Sequence, residues 1–299
     1  MKKIIIVLSF IITASVFSQN ITNTLGTSGL FTIKDASNNY LTLTQSTGYL
    51  SLNNSLVLPN TTSSSVGIIF KGPDRFLHNY GSGSGNTFLG LNSGNFTMTA
   101  NWNTGIGIQS LSKLTSTEGN TAVGSFSLYS TTTGYWNTAV GYGSLEWNIS
   151  GPVNNALGVN SLFSNTTGNN NTALGSFSLS FNTTGYENTA AGNYSLRSNS
   201  LGYQNTALGL SSLFSNTTGT ENTSIGYQSL YLNTTNSGNT AVGWKSLYSS
   251  TGWQNTAVGH HSLELNTSGN YNTAIGYNAG SLVTTGYNLT LIGIDANPT

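Results

Sequence analysis

Residues Asn137 to Leu145 read Asn-Thr-Ala-Val-Gly-Tyr-Gly-Ser-Leu, and residues Asn154 to Leu162 read Asn-Asn-Ala-Leu-Gly-Val-Asn-Ser-Leu. Residues Asn171 to Leu179 read Asn-Thr-Ala-Leu-Gly-Ser-Phe-Ser-Leu. The three stretches lie 17 residues apart, and the spacing continues in both directions. Their common glycine recurs thirteen times from Gly90 to Gly293, in nine steps of 17 up to Gly243 and then steps of 16, 17 and 17. The short step falls in Ser246-Leu-Tyr-Ser-Ser-Thr-Gly252, where a turn has lost a residue and the Asn-Thr-Ala-Val-Gly stretch has not. Fixed strands and adjustable turns behave in this way. Low-complexity sequence without structure would drift out of phase.

Outward from this period, the unit divides into a short strand ending at the marker glycine, a second short strand expected around Ser-Leu, and an Asn-Thr-Thr-Gly turn. Asn and Gly suit turns because they tolerate positive φ. Nothing recurs at helical spacing. The residue before each marker glycine is aliphatic from Leu89 to Ile292 and larger than Ala in all coils but one, at Ala191. A second column runs through Leu111, Leu128, Leu145 and onward to Leu263. No single coil can bury these residues, but stacking like on like at about 4.8 Å per coil gives a continuous core. The expected fold class is therefore all-β: a parallel β-solenoid, as a β-roll or triple β-helix, of thirteen 17-residue coils. Twelve steps give a rod of roughly 58 Å. Stacked asparagines from Asn86 to Asn272 are expected to form an amide ladder.

Neighbours along a strand face opposite ways. With the aliphatic column inside, the near-constant alanine column (Ala122, Ala139, Ala156 and their equivalents) is expected to face outward. Small residues on an outer face imply close approach by a neighbouring chain, so a homotrimer is the expected partner arrangement. The first and twelfth coils depart from the pattern, with Ser93-Gly94 and Ala279-Gly280 in place of Ser-Leu, as capping coils do.

The chain has 299 residues, 5% of them charged, and no cysteine. Residues 1–18 have the form of a signal peptide: Lys2 and Lys3, an apolar run from Ile4 to Phe17, and small residues before the expected cut. The run is short for a bilayer core, so a secreted or cell-surface location is expected, without stable membrane insertion after cleavage. Removal of two lysines leaves six basic against eight acidic residues. That balance gives no basic patch for nucleic acid. Residues 19–80 lack the period and alternate as strands (FTIKD, YLTLTQ, YLSLNNSLVL), so an N-terminal β module is expected before a rod spanning 81–299.

At Asn137 to Leu145, and across about residues 66–295, the sequence resembles the head repeats of trimeric autotransporter adhesins. It is also similar to β-solenoid shafts of phage tail fibres and related secreted proteins of Bacteroidetes. The resemblance implies a trimeric rod with a role in surface attachment or display. A C-terminal membrane barrel or self-cleaving chaperone domain of the kind such proteins carry is not recognised before Thr299, so self-anchoring is not expected.

Catalysis needs convergent titratable groups. Here His260 and His261 are expected on a strand, pointing opposite ways, which is poor metal geometry. No enzyme activity, metal or cofactor is expected. The candidate ligand-binding residues are outer-turn aromatics: Trp102, Trp136, Tyr135, Tyr186, Tyr203 and Trp253. They could grip a surface glycan or protein receptor, and the plainer alternative is packing between coils. Adhesion or surface recognition is the leading expectation, with a spacer or display rod without its own ligand as the alternative. Ice binding stands third: Thr121, Thr138 and their equivalents form a ladder without a second threonine on the same strand.

Overall fold

A computed structural model describes residues 30–34, 39–44, 49–52, 68–81 and 85–298. The signal peptide expected at residues 1–18 lies outside them. By internal packing the chain divides into residues 1–57 and residues 58–299, and each unit is taken by itself. In the first, strands β1 (Leu30–Lys34), β2 (Asn39–Thr44) and β3 (Tyr49–Leu52) form an antiparallel meander in the order β1-β2-β3.

The second unit is a β-solenoid. Strands β4 (Ile69–Lys71) and β5 (Asp74–His78) form a hairpin, and β5 pairs antiparallel with the first coil strand, β6 (Thr87–Leu89). From β6 to β18 (Thr290–Ile292), thirteen three-residue strands pair in parallel, one per coil. Register is like on like throughout: Thr206 pairs with Thr223, Ala207 with Ser224 and Leu208 with Ile225. The hairpin, placed with the N-terminal module on sequence, is thus hydrogen-bonded to the rod. No described residue is helical.

Two expectations are corrected. The first concerns the faces. Ala139, Ala173 and Ala207 are fully buried, whereas Leu157 is 51% and Leu174 42% exposed. Alanine therefore lines the interior and the aliphatic residue before the marker glycine faces out. The coil is too narrow for two large aliphatic columns. The leucine column from Leu111 to Leu263 fills the inside from the opposite wall, fully buried in every coil, and only a methyl group fits across from it. Where a large residue takes the alanine place, the opposite wall gives way. Phe88 is paired with Gly94 in the first coil, and a Cβ on Gly94 would sit 2.6 Å from the Phe88 ring. Gly280 stands at the leucine position of its coil, where a Cβ would lie 2.7 Å from Leu263 Cδ2 and 3.2 Å from Leu291 Cδ1 of the coils on either side.

The second correction concerns Ser-Leu. This segment is a run of turns, not a strand. The leucine itself is left-handed, at φ 52° in Leu145 and 50° in Leu162, Leu179 and Leu196. The residue two before it is left-handed too, as at Asn160 (φ 51°) and Phe177 (φ 59°). Left-handed backbone costs a non-glycine residue roughly 1–2 kcal/mol, and burying a leucine side chain contributes roughly 2 kcal/mol. The two nearly cancel. Inter-coil hydrogen bonds tip the balance, such as Leu162 N–H to Ser178 O at 3.0 Å and Leu196 N–H to Ser212 O at 2.9 Å.

The asparagine ladder forms, in more detail than expected. Each Asn Oδ1 accepts the backbone N–H of the next asparagine, as in Asn171 to Asn154 (3.0 Å) and Asn188 to Asn171 (3.0 Å). Nδ2 also donates to a backbone carbonyl at the end of its own coil, in most coils that of a glycine, as from Asn188 to Gly202 (2.9 Å). The amide thus closes its own coil and seats the next. A second interior ladder, read on sequence only as a turn, runs through Asn148, Asn165, Asn182, Asn199, Asn216 and Asn233. Its Nδ2–H···Oδ1 bonds are 2.7 to 3.0 Å long. It breaks at Ser250, in the 16-residue coil, and Asn233 Oδ1 is left without a hydrogen-bond partner.

Candidate recognition surface

Strand alternation puts the threonine and the aliphatic residue of each strand on the same outer face, with alanine between them pointing in. The face of the parallel sheet is therefore a threonine column beside an apolar column that includes Leu89, Ile106, Leu157, Leu174, Val258 and Ile275, all exposed. This apolar stripe was missed on sequence because the column was assigned to the core. Threonine occupies one column of the face, not two.

A short aromatic ladder stands one residue beyond the marker glycine. Tyr227, Trp244, His260 and Tyr277 stack with centroids 5.9, 4.8 and 5.3 Å apart. His260 and His261, expected on a strand, both lie instead in the turn after Gly259, with ring centroids 4.2 Å apart. His261 Nδ1 contacts Glu264 Oε2, and His260 is covered by Trp244 and Tyr277. Among the described residues, no group of three or more His, Asp or Glu is placed to hold a metal ion. Burial pushes the Glu146 carboxyl above the usual carboxylate range.

The six aromatics singled out on sequence do not form one site. Tyr186 and Tyr203 stack on each other, centroids 4.8 Å apart and 3° from parallel. Their faces are turned to one another, which is the inter-coil packing alternative. Trp253, 59% exposed, lies in the same column three coils further on. Trp102 and Trp136 share a second column, two coils apart, and both are left-handed (φ 57° and 54°). Each lies over a glycine of the preceding coil: a Cβ on Gly85 would meet Trp102 Cδ1 at 2.8 Å, and one on Gly119 would overlap Trp136 Cδ1.

Tyr135 and Trp136 are the second pair brought together, and within one coil. Their centroids are 5.3 Å apart and their planes 86° from parallel, forming a corner. With Ser116, Thr117 and Glu118 of the preceding coil they line an open recess of about 450 Å³. Trp136 N–H donates to Glu118 O at 3.1 Å, which ties the two coils together at this point.

No family model, no curated protein and no solved structure matches the chain.

Proposed function

We propose that the chain is a secreted or surface-associated fibrous protein whose rods associate as a homotrimer and act in adhesion or surface recognition. The observation that carries the reading is the outward aliphatic stripe, repeated coil after coil along the parallel sheet. Contiguous apolar surface of this kind marks an interaction site. A partner matching the stripe along its length needs the same repeat spacing. A chain with any other period would fall out of step within a few coils, so further copies of this chain are the fitting occupants. The threonine hydroxyls beside the stripe fit a face that is partly solvated at its margin. The repeat resemblance to adhesin heads and tail-fibre shafts points the same way.

Light scattering on the chain lacking residues 1–18 tests the association. Three times the chain mass is expected, with Leu157→Lys and Leu174→Lys together giving monomers of unchanged β-sheet spectrum. A monomeric unsubstituted chain overturns it. A spacer rod without its own ligand is the second reading, favoured by the mutual stacking of Tyr186 and Tyr203. Binding of the assembled protein to immobilised surface glycans separates adhesin from spacer, and thermal hysteresis checks the threonine column for ice binding.

A further inference from the structure

The recess on the third and fourth coils differs in chemistry from the rest of the rod surface. Its walls are the Tyr135 and Trp136 rings, nearly perpendicular, and both residues are exposed at 41% and 59%. Its third side is Glu118, an exposed residue whose carboxylate makes no ion pair among the described residues. The nearest coil's lysine is engaged elsewhere, with Lys113 Nζ lying 4.4 Å from the Tyr129 ring centre. The face of an aromatic ring carries the negative part of its quadrupole, and both rings border the recess. An unpaired carboxylate at its edge adds a full negative charge. A neutral sugar ring would use one aromatic face and leave the carboxylate's charge unmatched. A compact cation uses all three walls.

The local backbone holds this arrangement. Gly119 occupies, one coil earlier, the column position of Trp136, and its missing Cβ is what lets the Trp136 ring lie back against the preceding coil. The bond from the backbone N–H of Trp136 to the backbone carbonyl of Glu118 holds the main chains of these two residues side by side in adjacent coils.

We infer that the corner formed by Tyr135, Trp136 and Glu118 binds an alkylammonium group, with a quaternary trimethylammonium head as the best-fitting class. The inference rests on the reading of the rod as a recognition surface, and it names the chemistry of one site on it. Cation–π attraction to exposed rings is worth about 0.5–1 kcal/mol each and more on desolvation, so affinity is modest and a single site acts through the multiple copies of an assembly.

Saturation-transfer NMR on the full assembled protein tests it, with choline chloride as probe and its uncharged carbon isostere, dimethylbutanol, at the same concentration. Choline is expected to receive saturation and the isostere not. Trp136→Gly keeps the backbone conformation that Gly119 already adopts in this column, and should weaken choline binding on the order of tenfold. Glu118→Gln should weaken it about two- to fivefold. Equal signals for choline and dimethylbutanol, no signal for choline, or choline binding unchanged in Trp136→Gly overturns the inference. If choline fails while the protein still binds immobilised glycans, this site is wrong and the recognition reading stands; if both fail, the spacer reading replaces it.

Discussion

Gly209 and Gly226 lie so close that a Cβ placed on Gly209 would sit 2.6 Å from the Gly226 carbonyl oxygen. The backbone there is left-handed as well, at φ 126°. The marker glycine is thus required twice, by conformation and by the approach of the next coil. Gly209→Ala should destabilise the rod by on the order of 3 kcal/mol, seen as a lower urea midpoint. Gly293→Ala, at φ 124° with nothing within 4 Å, should lose clearly less.

Val153 is the opposite case. It is β-branched and left-handed, at φ 57°, in the column where Gly119 and Gly238 sit at φ 72° and 71° and Asn170 and Asn288 at 54°. A β-branched residue is the worst suited to that region. Val153→Asn should raise stability by about 1 kcal/mol, measured by the same denaturation.

The asparagine ladder makes a third prediction. Asn188 Oδ1 accepts from Asn205 N (3.0 Å), and its Nδ2 donates to Gly202 O (2.9 Å). Asn188→Ala leaves the buried Asn205 N–H unpaired, while Gly202 O keeps the bond from Asn199 Nδ2 at 2.9 Å. The lost partner costs about 1–3 kcal/mol. Hydrogen exchange should show faster opening at Asn205 than at equivalent asparagines several coils away.

The capping hairpin responds to pH. His78 Nε2 faces Ser93 O at 2.8 Å and Nδ1 faces the Tyr80 N–H at 3.3 Å, so only the neutral ring with its proton on Nε2 satisfies both. Burial, with the nearby Arg75 charge adding to it against the Ser93 bond, holds the His78 pKa down at about 4. In the unfolded chain it titrates near 6.5. Between these values the unfolded state binds the extra proton, so stability is full above about pH 6.5 and falls as pH drops toward 4, by about 3 kcal/mol at most. Denaturation at pH 7 and pH 4.5 should show this loss in the native chain and a smaller one in His78→Gln.

Much of this was legible in the sequence. Period, strand position, the glycine stack, the first asparagine ladder and the leucine column follow from which residue types recur at fixed spacing. The inside-out assignment of Ala and Val was not. Alternation says that neighbours face opposite ways, not which way is in, and the larger residue was put in the core. The signal lay in the spread of sizes. The interior position stays at Ala or Ser in most coils because the cavity has one size, while the outward position ranges over Val, Leu, Ile and Ala191. The left-handed leucines were hidden for another reason: Leu carries no local preference for positive φ, and only the stack imposes it. At the recess, Trp136 was visible as an outer aromatic, but its tie to Glu118 depends on the fold of the coil before it.

The contacts between one coil and the next repeat along the rod, as in the strand register and the asparagine ladder, so the surface that a coil presents upward matches the one it receives from below. Two internal coils could be exchanged, or a whole coil lost or copied, with the same bonds re-formed at the junction. Length is therefore a countable, heritable quantity in this molecule, adjustable in increments of about 4.8 Å by duplication or slippage of a 17-codon segment. The ends, marked by Phe88 with Gly94 and by Gly280 in place of leucine, and the 16-residue coil that breaks the second ladder at Ser250 stand outside that exchange.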